Sequence, residues 1–205
     1  KEVWSAPYAL YPKRYYEHTK LSTQKKYDFA FIGKFRFTGN KKEPGYNNRK
    51  WTIKFAKTFF TNNSFFLNTT YEKNSSTSWN TLGHFDKTQN LSKSFLCPQY
   101  MKKESRNKFD ENYFDVMSKS KFCLCPAGDA SWSMRFYEAL MCKCIPIVDN
   151  INETFRSKQE AKLNYKYYTT KNKSFEYNKS WVTHNHNLFL KHHTLKYYNN
   201  NYKIQ

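Results

Sequence analysis

The sequence predicts an α/β fold, a Rossmann-like doubly wound parallel sheet, from three observations. The first is the segment 118–150, SKSKFCLCPAGDASWSMRFYEALMCKCIPIVDN. An apolar run (122–125), a loop (126–131), an amphipathic stretch (132–142) and a second apolar run (144–148) succeed one another there. That order is strand, loop, helix, strand, a parallel crossover unit. The second is YDFAFIG (27–33), a compact apolar run closed by a glycine, which reads as a buried strand. The third lies downstream of that run: Trp51, Phe55, Ala56, Phe59 and Phe60 recur at helical spacing, and SFFLN (64–68) forms another short apolar run. Strands alternating with helices build a mostly parallel sheet with helices on its faces.

The remaining elements can be taken in chain order. Residues 1–26 mix aromatic residues, Pro7, Pro12 and charges without a clear period, and read as a connecting segment. A loop over 34–48 holds Gly39, Pro44 and Gly45, and Asn47 or Asn48 can cap the helix that begins there. From 69 to 101 the chain is polar and rich in Ser, Asn and Thr, a long irregular region. Residues 110–118 form a short helix with Tyr113, Phe114 and Met117 turned inward. After Asn150 come a loop and an ill-defined stretch over 161–170. Residues 178–195 carry Trp181, Leu188, Phe189 and His192 at positions suited to a docking helix, and 196–205 read as a frayed tail. The main domain therefore spans 27–195. Pro146 resists this reading, because a central strand loses a ladder hydrogen bond at proline; it must sit at a bulge or among the first residues of its strand.

Composition narrows the function classes. The 205 residues suit one domain or two small ones and suffice for a real core. A formal net charge of +19 invites a nucleic-acid reading. The lysines are dispersed, however, and the abundance of Lys, Asn, Tyr, Phe and Ile beside only 5 glycines is the imprint of AT-rich coding. Five cysteines cannot all pair within one chain. Four of them form Cys123-x-Cys125 and Cys142-x-Cys144, in or beside apolar strands, where cysteine is a good small core residue; no metal site is expected. No stretch approaches the ~18 apolar residues of a membrane span. Reduced cysteines point to a cytoplasmic setting, with a Golgi lumen as the alternative should the chain be a piece of a membrane-anchored protein.

The chemistry concentrates in PAGDAS and the helix it feeds, at the carboxyl end of a buried strand. Open α/β sheets bind ligands there, and helix N–H groups can hold a phosphate. Gly128 permits close backbone approach, and Asp129, Ser131 or Ser133 could cap the helix. Arg135 and Glu138 stand three apart on one helical face. An arginine there can grip a diphosphate through two parallel N–H donors, and a glutamate one turn on can accept from ribose hydroxyls. The bland alternative is a surface ion pair of about 0.5 kcal/mol.

The stretch FCLCPAGDASWSMRFYEALMCKCIPIV resembles the C-terminal signature of the exostosin-like glycosyltransferases, whose fold is the two-domain GT-B architecture. The matching positions are 122–124, Pro126, Gly128, Ser133, Arg135, Glu138, Ala139 and 144–148. The family carries a proline where this chain has Pro146, and a glycine where this chain has Lys143. Residues 29–33 with Gly33, Lys34 and Arg36 are similar to the strand that opens the family's nucleotide-sugar domain, and Arg49 is similar in position to a basic element near the phosphates. The resemblance implies half of a GT-B enzyme, the nucleotide-sugar-binding domain. It implies a UDP- or GDP-linked donor as co-substrate with no separate cofactor, a glycan or glycoprotein acceptor, and inversion at the transferred carbon. No Asp-x-Asp occurs anywhere in the chain, so a metal-held diphosphate is not expected. The base that deprotonates the acceptor is expected from an N-terminal acceptor-side domain; local candidates are His84, Asp86 and Asp129. The alternatives are a basic nucleic-acid-binding module and a catalytically inactive relative that retains Arg135 and Glu138.

Overall fold

A computed structural model of the chain describes residues 8–33, 49–69, 83–88, 109–127, 132–149, 155 and 157–196. Among them five parallel strands form one sheet: β1 (Tyr27–Gly33), β2 (Phe65–Asn68), β3 (Ser120–Leu124), β4 (Ile145–Val148) and β5 (Tyr168–Thr169), in the order β2-β1-β3-β4-β5. Ala30 lies beside Phe65, Phe29 beside Phe122, Phe122 beside Ile145, and Ile147 beside Tyr168. The helices are α1 (Lys13–His18), α2 (Lys50–Phe59), α3 (Glu111–Ser118), α4 (Met134–Met141), α5 (Lys158–Ala161) and α6 (Lys179–His192). The predicted α/β class and parallel sheet are observed.

Beyond the first two residues of β1 and β3, the central strands are apolar because both faces are covered. Alternate residues of a strand point to opposite faces. Phe29, Phe31, Phe122, Leu124, Ile145 and Ile147 meet Phe55, Ala56 and Phe60 of the α2 region on one face. Cys123, Cys125, Cys144 and Val148 meet Phe136, Tyr137 and Leu140 of α4 on the other. Cys123, Cys125, Cys142 and Cys144 are free and buried, and burial pushes the Cys142 and Cys144 thiols up. No cluster of three or more metal-binding side chains occurs among the described residues.

Pro146 is the second residue of β4. Cys125 N–H donates to the Ile147 carbonyl (2.8 Å) and Thr170 N–H to the Val148 carbonyl (2.9 Å), so successive residues of β4 turn their amides to β3 and β5 alternately. Pro146 shares the parity of Val148 and faces the β5 side, where the ladder starts only at Ile147. Its missing N–H therefore removes no ladder bond.

Two elements carry no readable signal in the sequence. α1 buries none of its residues, so KRYYEH has no apolar period. β5 has two half-buried residues, too few for an alternation to show. Within 1–26, Ala9 and Tyr11 are buried in the core. Tyr11 N–H donates to the His193 carbonyl (2.8 Å), and Leu195 N–H donates back to the Tyr11 carbonyl (3.3 Å). Ala9 N–H donates to Glu160 Oε1 (2.7 Å), and the Tyr137 hydroxyl donates to the other oxygen of Glu160. Residues 197–205 lie outside the described residues.

His193 anchors this corner. Its Nδ1 faces the Ala9 carbonyl (2.7 Å), an acceptor only, so Nδ1 carries the proton and Nε2 accepts from the Tyr165 hydroxyl. Burial pushes its pKa down to about 4, against the smaller upward pull of the Ala9 carbonyl. A depressed histidine contributes stability that is full above ~6.5 and is lost as pH falls toward the folded value. Urea denaturation at pH 7 and pH 4 should show about 3 kcal/mol less stability from this group at the lower pH, and His193→Gln should flatten that dependence while lowering stability at pH 7.

Helix α4 ends with Cys144 N–H donating to the Ala139 carbonyl (2.9 Å) and Lys143 N–H to the Leu140 carbonyl (3.2 Å). This is a Schellman ending, which needs a left-handed residue at position 143. Lys143 adopts it, with φ at 56°. The geometry gives a physical reason for a glycine there and a cost of about 1–2 kcal/mol for a side chain. Lys143→Gly should raise stability by about 0.5–1 kcal/mol in chemical denaturation, the gain reduced by glycine's larger unfolded entropy.

Candidate functional site

The strand order makes the site. The chain leaves β1 toward β2 at one edge and returns to β3 on the other side, so the connections after β1 and β3 diverge. A crevice opens at the carboxyl ends of those two strands. There a cleft of about 400 Å³ is lined by Tyr15, Gly33, Arg49, Asp110, Tyr113, Ser133, Arg135 and Glu138 among others.

Each side chain is held by a local device. Ser133 caps α4: its extended backbone precedes the helix, and its hydroxyl accepts from Arg135 N–H (3.2 Å). The Tyr11 hydroxyl donates to the Met134 carbonyl (2.9 Å), tying the first turn to the N-terminal segment. Arg49, the residue before α2, donates from Nε to the Ala127 carbonyl (3.3 Å), joining α2 to the loop after β3. Asp110 caps α3 by accepting from Tyr113 N–H (3.1 Å). The Tyr113 hydroxyl then crosses to α4 and donates to Glu138 Oε2 (2.5 Å).

Arg135 lies over the end of β1. Its guanidinium carbon stands 5.5 Å from the centre of the Phe31 ring, a cation–π distance. Nε and Nη1 are buried and have no hydrogen-bond partner, and no salt bridge joins this guanidinium to Glu138 among the described residues. Burial would press its proton off. Attraction from Tyr113, Cys123, Cys125 and Glu138 outweighs this, and its pKa lies above the ordinary value. The group stays charged. Glu138 is shifted up, first by burial, with the Tyr113 hydroxyl and Arg135 pulling the other way.

Of the sequence-expected positions, Gly33, Arg49, Ser133, Arg135 and Glu138 come together in this cleft. Arg36, Gly128, Asp129 and Ser131 lie outside the described residues. His84 is elsewhere. It bridges Phe65, the first residue of β2, and its ring lies 6.0 Å from that of Tyr27, the first residue of β1. That is the amino-terminal edge of the sheet, opposite the cleft. Asp86 also does not line it; its carboxylate accepts from Thr88. Sequence reasoning missed Asp110 and Tyr113. Asp110 showed only as the start of a helix and Tyr113 as one of its inward residues; no spacing pattern links either to Glu138, which lies 25 residues beyond Tyr113.

Residues 2–195 match the Exostosin GT47 domain as a family. The chain belongs to the exostosin GT47 family. Curated relatives match over short stretches. A probable glycosyltransferase of Arabidopsis thaliana is 46% identical over 41 residues, 20% of this chain and 8% of that protein. A probable glucuronosyltransferase of Oryza sativa subsp. japonica is 46% identical over 48 residues, 22% and 11% of the two chains. A probable beta-1,4-xylosyltransferase of Arabidopsis thaliana is 47% identical over 36 residues, 18% and 9%. The matched stretches thus cover about a tenth of each of these relatives.

Gly33 explains how the exostosin domain admits the guanidinium. A Cβ at this position would stand 2.8 Å from the Phe31 ring and 3.1 Å from Arg135 Nη2. Both neighbours would have to shift. Gly33→Ala should destabilise the domain by about 1–3 kcal/mol, the range of core overpacking, in urea denaturation.

Proposed function

We propose that this exostosin GT47 chain supplies the donor-binding domain of a glycosyltransferase, which moves a sugar from a nucleoside diphosphate to an acceptor hydroxyl with inversion. The observation that carries the reading is Arg135, a charged guanidinium with two buried nitrogens unpartnered at the mouth of a parallel sheet. Leaving such donors unsatisfied costs several kcal/mol, and an incoming diphosphate removes that cost.

The chemistry derives from the placement. The bond from the sugar's anomeric carbon to the diphosphate oxygen breaks as the acceptor oxygen attacks from the opposite face. Negative charge accumulates on the departing diphosphate. Arg135 and the positive amino-terminal end of α4 offset it in place, and Arg49 adds a second positive charge to the cleft. Glu138 accepts from the ribose hydroxyls and fixes the nucleoside. The base that takes the acceptor's proton is assigned to an acceptor-side domain, as the two-domain resemblance implies, and the acceptor to a glycan or glycoprotein.

Calorimetry with UDP and GDP tests this reading. Micromolar binding of one of them is expected, weakened at least a hundredfold in Arg135→Ala and Glu138→Ala. Salt-sensitive DNA binding without nucleotide affinity would replace the reading with a nucleic-acid module. Release of free sugar from the matching nucleotide sugar separates an active transferase from an inactive relative.

A further inference from the structure

The Glu138 carboxylate has one hydrogen-bond partner among the described residues, the Tyr113 hydroxyl on Oε2 at 2.5 Å. The donor comes from a different element, α3, whose first turn is itself fixed by the Asp110 cap. Tyr113 has a packed ring: it lies edge-on to Phe114 with centroids 5.0 Å apart, and it touches both the core above α3 and the one beside α4. Its hydroxyl is therefore a stiff donor, held by two fixed ends. A glutamate free to rotate would sample several rotamers, and immobilising it on binding would cost affinity.

We propose that Tyr113 is a positioning residue of the donor site: it fixes Glu138 Oε2 so that Oε1 is left to accept from a ribose hydroxyl of the nucleoside diphosphate. The inference rests on the donor-site reading and deepens it, since it names ribose recognition as the property Tyr113 controls. It also accounts for the absence of an Arg135–Glu138 ion pair among the described residues. With Tyr113 satisfying the carboxylate, Arg135 is left for the diphosphate, and the two binding tasks are separated between neighbouring side chains.

The charged and titratable groups facing Glu138 are Arg135 on its own helix, Tyr113 on α3, Tyr11 from the N-terminal segment, Cys123 on β3 and Cys142 at the end of α4. Of these, Tyr113 and Arg135 favour the carboxylate, against burial. Loss of the hydroxyl must therefore move the ionisation of Glu138 further upward. Ribose recognition, which needs the carboxylate, would then fail at a higher pH than in the unaltered chain.

The test compares the unaltered chain with Tyr113→Phe, which keeps the ring and deletes the hydroxyl. The probes are the preferred nucleoside diphosphate (UDP or GDP), its 2′-deoxy counterpart and inorganic pyrophosphate, each across pH 5 to 8. Tyr113→Phe should weaken the ribonucleotide about tenfold and shift the acid limb of its binding upward in pH. Binding of the 2′-deoxy nucleotide should change far less, and pyrophosphate, held by Arg135, should bind as before. Unchanged pyrophosphate binding also shows that the variant has folded. Equal ribonucleotide affinity and an unmoved pH limb in Tyr113→Phe would overturn the inference while leaving the donor site standing. Equal losses for all three probes would overturn it too, because they describe general damage. Absence of nucleotide binding by the unaltered chain would overturn the donor-site reading and this inference together.

Discussion

A charged, half-buried arginine with two buried guanidinium nitrogens left unpartnered is the constraint around which this domain is arranged. Placing a guanidinium at the end of a hydrophobic sheet is unfavourable, and three features make it tolerable. Phe31 offers its ring beneath the charge. Gly33 leaves the space that any side chain would fill. Ser133 starts the helix so that Arg135 falls in its first turn, where its N–H finds an acceptor in the cap. All three act on one side chain, and the parallel sheet supplies the platform.

The opposite charge is treated differently. Glu138 has a fixed donor in Tyr113, while two nitrogens of Arg135 have no acceptor. The asymmetry separates a carboxylate satisfied on one oxygen from a guanidinium with two unpartnered nitrogens. An ion pair between them would have closed the cleft on itself. The geometry keeps both lining the same cleft.

Much of this was legible in the sequence because strong local signals coincided. The run 27–33, apolar apart from Asp28, matches β1 residue for residue. The segment 118–150 carries strand, cap, amphipathic helix and strand in order, so spacing alone puts Ser133, Arg135 and Glu138 at the start of one helix. What stayed hidden was of two kinds. α1 and β5 bury too little for a period to appear. Tyr11 and Tyr113 reach their partners across the fold, through contacts separated by 123 and 25 residues, which no local spacing encodes. Lys143 shows the converse. The resemblance marked it as a departure, and only the left-handed backbone at that point gave the departure a physical meaning.

The clasp between Tyr11 and the two ends of the domain has a mechanical implication. Tyr11 is bonded through its backbone to His193 and Leu195, and through its hydroxyl to the Met134 carbonyl, one residue before Arg135. Tyr11 thus couples the carboxyl-terminal end of α6 directly to the turn bearing the guanidinium. The strap and the grip share a single rivet.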